Sequence, residues 1–96
     1  MRVRFTSTAL LEVDEIFAYI AQHNPTAAAT LVERIEQAAE RLSGSPHAGP
    51  KTDEPSVRQL TVRRSPYLLL YTVEADEVVI LHVRHGARRR PWELKD

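Results

Sequence analysis

The chain has 96 residues, a formal net charge of zero at neutral pH and no cysteine. That length supports one small domain whose core removes roughly 60–65% of the unfolded chain's surface, and the lack of thiols excludes disulfides and zinc-thiolate sites. No apolar run approaches the roughly 20 residues of a membrane span, and Met1-Arg2-Val3-Arg4 leads into folded pattern instead of a signal peptide, so a soluble cytoplasmic protein without membrane contacts is expected.

Arg2-Val3-Arg4-Phe5-Thr6 alternates with period two, which predicts a half-buried strand over 2–6 with Val3 and Phe5 on one face. Ser7 or Thr8 is placed to cap a first helix over 8–23, whose Leu10, Val13, Ile16 or Phe17, and Ile20 make one apolar stripe. Glu12, Asp14 and Glu15 lie near its start, where the helix dipole favours negative charge, and read as structural acids and not as a catalytic pair. Asn24-Pro25 begins a second helix over 25–43, with Asn as N-cap and Pro at the first helical position. Ala28, Leu31, Ile35, Ala38 and Leu42 form its buried stripe, and Gly44 is a natural C-terminal cap. The small residues Ala27, Ala28, Ala29, Ala38 and Ala39 let the two helices approach closely as an antiparallel hairpin.

Ser45 to Ser56 carries Pro46, Pro50, Pro55 and Gly49 and reads as an irregular loop. It holds no phosphate cradle, and neither a P-loop nor a dinucleotide fingerprint occurs in the chain, so no cofactor is expected. Strands are predicted over 57–63, 67–74 and 77–84; the middle one is almost continuously apolar and belongs at the centre of an antiparallel meander. The expected fold class is α+β: an N-terminal strand, a helical hairpin and a three-stranded antiparallel meander, in one domain with a basic tail over 85–96.

Strict alternation puts Leu60, Val62, Val79, Leu81 and Val83 towards the helices and Gln59, Thr61, Arg63, Val78, Ile80, His82 and Arg84 on the second face. The central strand adds either Leu68, Leu70 and Thr72 or Tyr67, Leu69, Tyr71 and Val73 to that second face. Two helices cover only one face, so an apolar patch rimmed by arginine is expected on the other, as at an interaction site.

Charge is sorted along the chain. Ser7–Gly44 holds six acids against two bases, whereas Val57–Arg90 holds seven arginines against three acids. The last strand runs into His85-Gly86-Ala87-Arg88-Arg89-Arg90-Pro91-Trp92, a cationic tip delivered from a rigid edge. His82 and His85 differ in parity and point to opposite faces of a regular strand, which argues against a shared metal or substrate.

In this order and spacing the chain resembles toxins of the RelE/ParE superfamily of type II toxin-antitoxin systems, and the ParE branch most. The matching residues are Ala9, Leu10, Ile16, Tyr19, Ile20 and Ala21, then Asn24-Pro25 and Ala28. Leu42-Ser43-Gly44-Ser45-Pro46 with Gly49, Val57-Arg58-Gln59-Leu60, and Pro66-Tyr67 with Leu70-Tyr71 follow. Ile80-Leu81-His82-Val83 and His85-Gly86-Ala87-Arg88 complete the set, which covers nearly the whole chain.

The resemblance implies a growth inhibitor silenced by a cognate antitoxin. RelE-type members cut messenger RNA in the ribosome with basic residues on the second and third sheet strands, an arginine after the last strand and a C-terminal tyrosine or histidine. Gln59, Thr61 and Leu68 stand at the matching sheet positions here, only Arg88 fits the arginine, and the tail offers Trp92 and Leu94. A non-enzymatic ParE-like toxin acting on DNA gyrase is therefore expected, with a ribosome-dependent endoribonuclease or an inactive antitoxin-binding relic as alternatives. Arg88, Arg89, Arg90 and Trp92 are the candidate target-binding residues. Arg58, Arg63, Leu68, Leu70, Ile80, His82 and Arg84 are the candidates for binding a ParD-like antitoxin, through which alone the protein would reach DNA.

Overall fold

The computed structural model describes residues 1–86. Its elements are β1 (Arg2–Phe5), α1 (Ser7–Ala21), α2 (Pro25–Gly44), β2 (Arg58–Thr61), β3 (Tyr67–Val73) and β4 (Glu77–His85). The four strands form one sheet in the order β1-β4-β3-β2, with β1 parallel to β4 and the other pairs antiparallel. The expected α+β order and meander are present, and the N-terminal strand closes the sheet on the side of β4.

Local chemistry sets the helix ends. Thr6, not Ser7 or Thr8, caps α1: its hydroxyl accepts from the Ala9 N–H at 3.0 Å and donates to the Leu81 carbonyl at 3.1 Å. One side chain thereby ends β1, starts α1 and ties both to β4, which is why the first strand stops at Phe5. Asn24 caps α2 as expected, accepting from Ala27 N–H at 3.0 Å, with Pro25 in the first turn. Gly44 stays within the helix, and Ser45 is the residue at its C-terminal cap.

The expected stripe of α2 is buried in full, with Ala39 added. On α1 the inward stripe is Ala9, Val13, Ile16 and Ile20; Leu10 is 53% exposed and Phe17 41% exposed, so both leave the stripe in which they were placed. The inward residues of α1 and, from α2, Leu31, Ile35, Ala38, Ala39 and Leu42 pack with Val3, Phe5, Leu60, Val62, Leu69, Tyr71, Val78, Ile80 and Val83 in one core.

The faces of β4 correct the strict count. Leu70 pairs with His82 while Tyr71 pairs with Ile80, so Leu81 is an extra residue on β4. A bulge of this kind reverses the parity of everything before it. Val78 and Ile80 therefore join the core together with Val83, and Val79 and Leu81 do not. The alternation of Tyr67, Leu69, Tyr71 and Val73 into the core sends Leu68, Leu70 and Thr72 to the second face. That face is not the open apolar patch expected: Leu70 is fully buried, Val79 nearly so, and Leu68 half-buried.

The loop after α2 is more ordered than its composition indicates. Gln59 N–H donates to the Pro50 carbonyl at 3.0 Å, Lys51 bridges Arg58, and the buried Gly49 N–H donates to the Tyr71 hydroxyl at 2.9 Å. A Cβ at Gly49 would land on the Gln59 carbonyl, which as backbone cannot swing aside. Gly49→Ala is expected to cost about 1–3 kcal/mol through overpacking, read as a lower urea midpoint with an unchanged slope; an unaltered midpoint would show that the loop moves freely.

Candidate partner-binding surface

β4 continues to His85 after β1 has ended, which leaves its outer edge from Leu81 onwards without a strand partner. Side chains take that place. Beyond the Thr6 bond to the Leu81 carbonyl, the Glu12 carboxylate accepts the Val83 N–H at 2.9 Å. Its other oxygen lies 3.3 Å from His82 Nδ1 and 3.5 Å from Arg84 Nε. The Arg84 Nε atom is buried and makes no hydrogen bond, so its contact with Glu12 is one of charge alone. His82 Nδ1 also lies 3.4 Å from Arg84 Nη2, and it accepts from Arg84 or donates to Glu12 according to where its proton sits.

Glu12 is a structural acid, as expected, but its role is to close a strand edge and not merely to answer a helix dipole. The signal for this lay in its spacing: three residues after Ala9 and four before Ile16, it borders the inward stripe of α1.

The candidate antitoxin contacts separate into several environments. Ile80 lies fully buried in the core because the Leu81 bulge turns it inward, so it offers no surface. Leu70 is also fully buried. Arg58 is tied to the loop through Gly49 O at 2.7 Å, and His82 and Arg84 are engaged by Glu12. Leu68 remains half-buried and Arg63 exposed in the β2–β3 turn. Arg88, Arg89, Arg90 and Trp92 lie outside the described residues. The two histidines have different neighbours: His82 lies beside Glu12, and His85 packs edge-on against Tyr67 at 5.4 Å. Among the described residues no group of His, Asp and Glu is arranged to hold a metal, and no helix is long and apolar enough to cross a membrane.

Among the described residues, the α1 side of the molecule offers a groove and exposed apolar residues to a partner. A groove of about 930 Å³ opens between the helical hairpin and the end of the sheet, with Ile20, Leu31 and Tyr67 among its apolar lining and Arg34, Arg64, Arg84, Glu12 and Glu15 among its charged lining. α1 also exposes Leu10, Leu11 (58%), Phe17 and Tyr19 (68%): Leu10 and Phe17 share one flank of the helix, and Tyr19 lies on the opposite flank, where it lines the groove. Exposed apolar side chains beside a groove are a feature of interaction sites.

Comparison with known proteins agrees with this architecture. Residues 3–90 match the family model described as ParE toxin of the type II toxin-antitoxin system parDE. The chain is 39% identical over 93 residues to a protein named putative toxin Y4kP from Sinorhizobium fredii, spanning 97% of this chain and 96% of that one. It is 34% identical over 87 residues to toxin RelE2 of Caulobacter vibrioides, spanning 91% and 97% respectively. Among solved structures, a chromosomal ParDE system from P. aeruginosa superposes with a TM-score of 0.80 at 26% identity, over 88% of this chain and 95% of that one. The RelBE2 toxin-antitoxin complex of Mycobacterium tuberculosis gives 0.58 at 30% identity over the same shares. Isolated E. coli RelE shares the fold, at 0.63 and 20% identity over 96% of this chain and 90% of that one. A strand, a helical hairpin and a meander, matched over almost the whole length, place the chain in the ParE toxin family of the RelE/ParE superfamily of type II toxin-antitoxin systems.

Proposed function

We propose that this toxin arrests growth by binding DNA gyrase and not by cutting RNA, and that a ParD-like antitoxin silences it in the cytoplasm. The observation that carries the reading is the engagement of its few basic sheet groups. RNA cleavage needs an acid-base pair and cations converging on one phosphate. Here His82 and Arg84 share one carboxylate, His85 packs on Tyr67, and Gln59, Thr61 and Leu68 occupy the sheet positions where RelE-type toxins carry basic residues. The apolar residues that α1 exposes support a protein partner.

Likeness to a protein named toxin RelE2 favours a second reading, a ribosome-dependent endoribonuclease. Purified toxin, gyrase and supercoiled plasmid separate the two. Linear DNA accumulating with gyrase supports the first; cleaved mRNA in programmed ribosomes, without linear DNA, supports the second. Neither product would mark a copy that only binds its antitoxin.

A further inference from the structure

A second, smaller cavity of about 240 Å³ lies between α2 and the β2 edge, and every charged residue lining it is an arginine: Arg34, Arg41 and Arg63. Gln37 and Thr61 add polar groups, and Ala38 and Leu60 are its apolar members. Three cations around so small a space repel one another unless an anion lies between them.

Nothing among the described residues supplies that anion. On α2 the positions three and four residues from Arg34 are Thr30, Leu31, Gln37 and Ala38, and those from Arg41 are Gln37, Ala38, Gly44 and Ser45. None is acidic, so neither arginine has a helix-neighbour carboxylate. Glu33, Glu36 and Glu40 lie on a different stripe of the helix. Arg34 Nη1 is spent on the Arg64 carbonyl at 3.1 Å, whereas Arg41 and Arg63 are exposed and have no ion pair among the described residues.

The backbone beside the cavity is also open. β2 is the terminal strand of the sheet. Gln59 N–H turns outward to the loop and Val62 N–H turns inward to the Tyr67 carbonyl, so Thr61 between them presents its N–H and carbonyl to the outside. A chain segment lying along this edge gains backbone hydrogen bonds at Thr61 and passes directly over the arginines.

We infer that the Arg34–Arg41–Arg63 cavity is a carboxylate-binding site that receives acidic side chains of an extended antitoxin segment running along the β2 edge. The inference rests on the reading of this chain as an antitoxin-bound toxin and adds the site and the chemistry of the bound segment. Arginine clusters of this kind take carboxylates in paired hydrogen bonds, which fixes register as well as affinity.

The test titrates the full chain with its cognate antitoxin. R41A/R63A is expected to weaken binding by at least about tenfold and to flatten its salt dependence, while the melting temperature of the free toxin stays at the wild-type value. R41K/R63K, which keeps the charge and loses the forked geometry, is expected to fall between the two. An R41A/R63A affinity within about threefold of wild type overturns the assignment. Inorganic phosphate provides the control: protection of the arginines by phosphate with unchanged antitoxin binding by the variant marks a small-anion site and also overturns it. A wild-type chain that ignores the antitoxin altogether defeats the partner reading itself, an outcome distinct from failure of the arginine site.

Discussion

Replacing Glu12 by alanine is expected to lower the melting temperature by about 10–20 °C, equivalent to roughly 2–3 kcal/mol in a domain of this size. The carboxylate holds the Val83 N–H at 2.9 Å and sits beside both His82 and Arg84. A hydrogen bond to a charged group contributes about 1.5–3 kcal/mol, and its loss leaves a backbone donor unpaired on a strand edge. Arg84 at the same time loses the counter-charge nearest its buried Nε. The side chains of Glu12 and Arg84 retain 17% and 26% of their exposure, which keeps the cost below the roughly 3–5 kcal/mol of a broken, fully buried pair. Glu12→Gln keeps an oxygen for the Val83 N–H and is expected to lose about half as much. Thermal melts followed by circular dichroism measure both, and a Glu12→Ala chain that melts with the wild type would show that water serves the edge equally well.

The largest effect on activity is expected from replacing Arg88, Arg89 and Arg90 together by alanine. Growth arrest should disappear while antitoxin affinity stays within roughly tenfold, or about 1.4 kcal/mol. The motive is in the sequence: three consecutive arginines after the last strand carry more positive charge than their neighbours Glu93 and Asp96 can balance. The competing account is that Arg88 pairs with an acid of the helical hairpin and pins the chain end. A large fall in melting temperature for Arg88→Ala alone would favour that account. Undiminished toxicity of a well-folded triple variant would remove the arginines from the target contact.

The start and stripe of α2 were legible because they are local chemistry, whereas the cap of α1 moved to Thr6, whose hydroxyl also bonds to the distant Leu81 carbonyl, and Leu10 and Phe17 fell outside its stripe. Asn24-Pro25 and the Ala28, Leu31, Ile35, Ala38 and Leu42 positions need no knowledge of the sheet to be placed. The strand faces were harder to read. Counting by twos along Val78–Val83 is sound only on a regular strand, and nothing in Ile80-Leu81-His82 announces that Leu81 lies outside the alternation. That one residue moved Ile80 from a proposed contact to the core. Glu12 was visible as an acid, but its target is a backbone N–H some seventy positions later, separated by 71 residues, which only the tertiary structure brings near. The arginine cavity likewise combines two α2 residues with a turn residue, and no spacing in the chain links them.

The pairing of β1 with β4 also bears on when the protein becomes itself during synthesis. Arg2 and Arg4 stand opposite Glu77 and Val79, and the Arg2–Glu77 contact spans 75 residues. A sheet border closed by the first and last strands has high contact order and forms late. While the ribosome still holds the final strand, the nascent chain has its helical hairpin but no partner for β1, and the Glu12 carboxylate has no edge to close. The outer surface around Leu81–Val83 is therefore complete only once β4 has docked beside β1 and Glu12 has reached its edge.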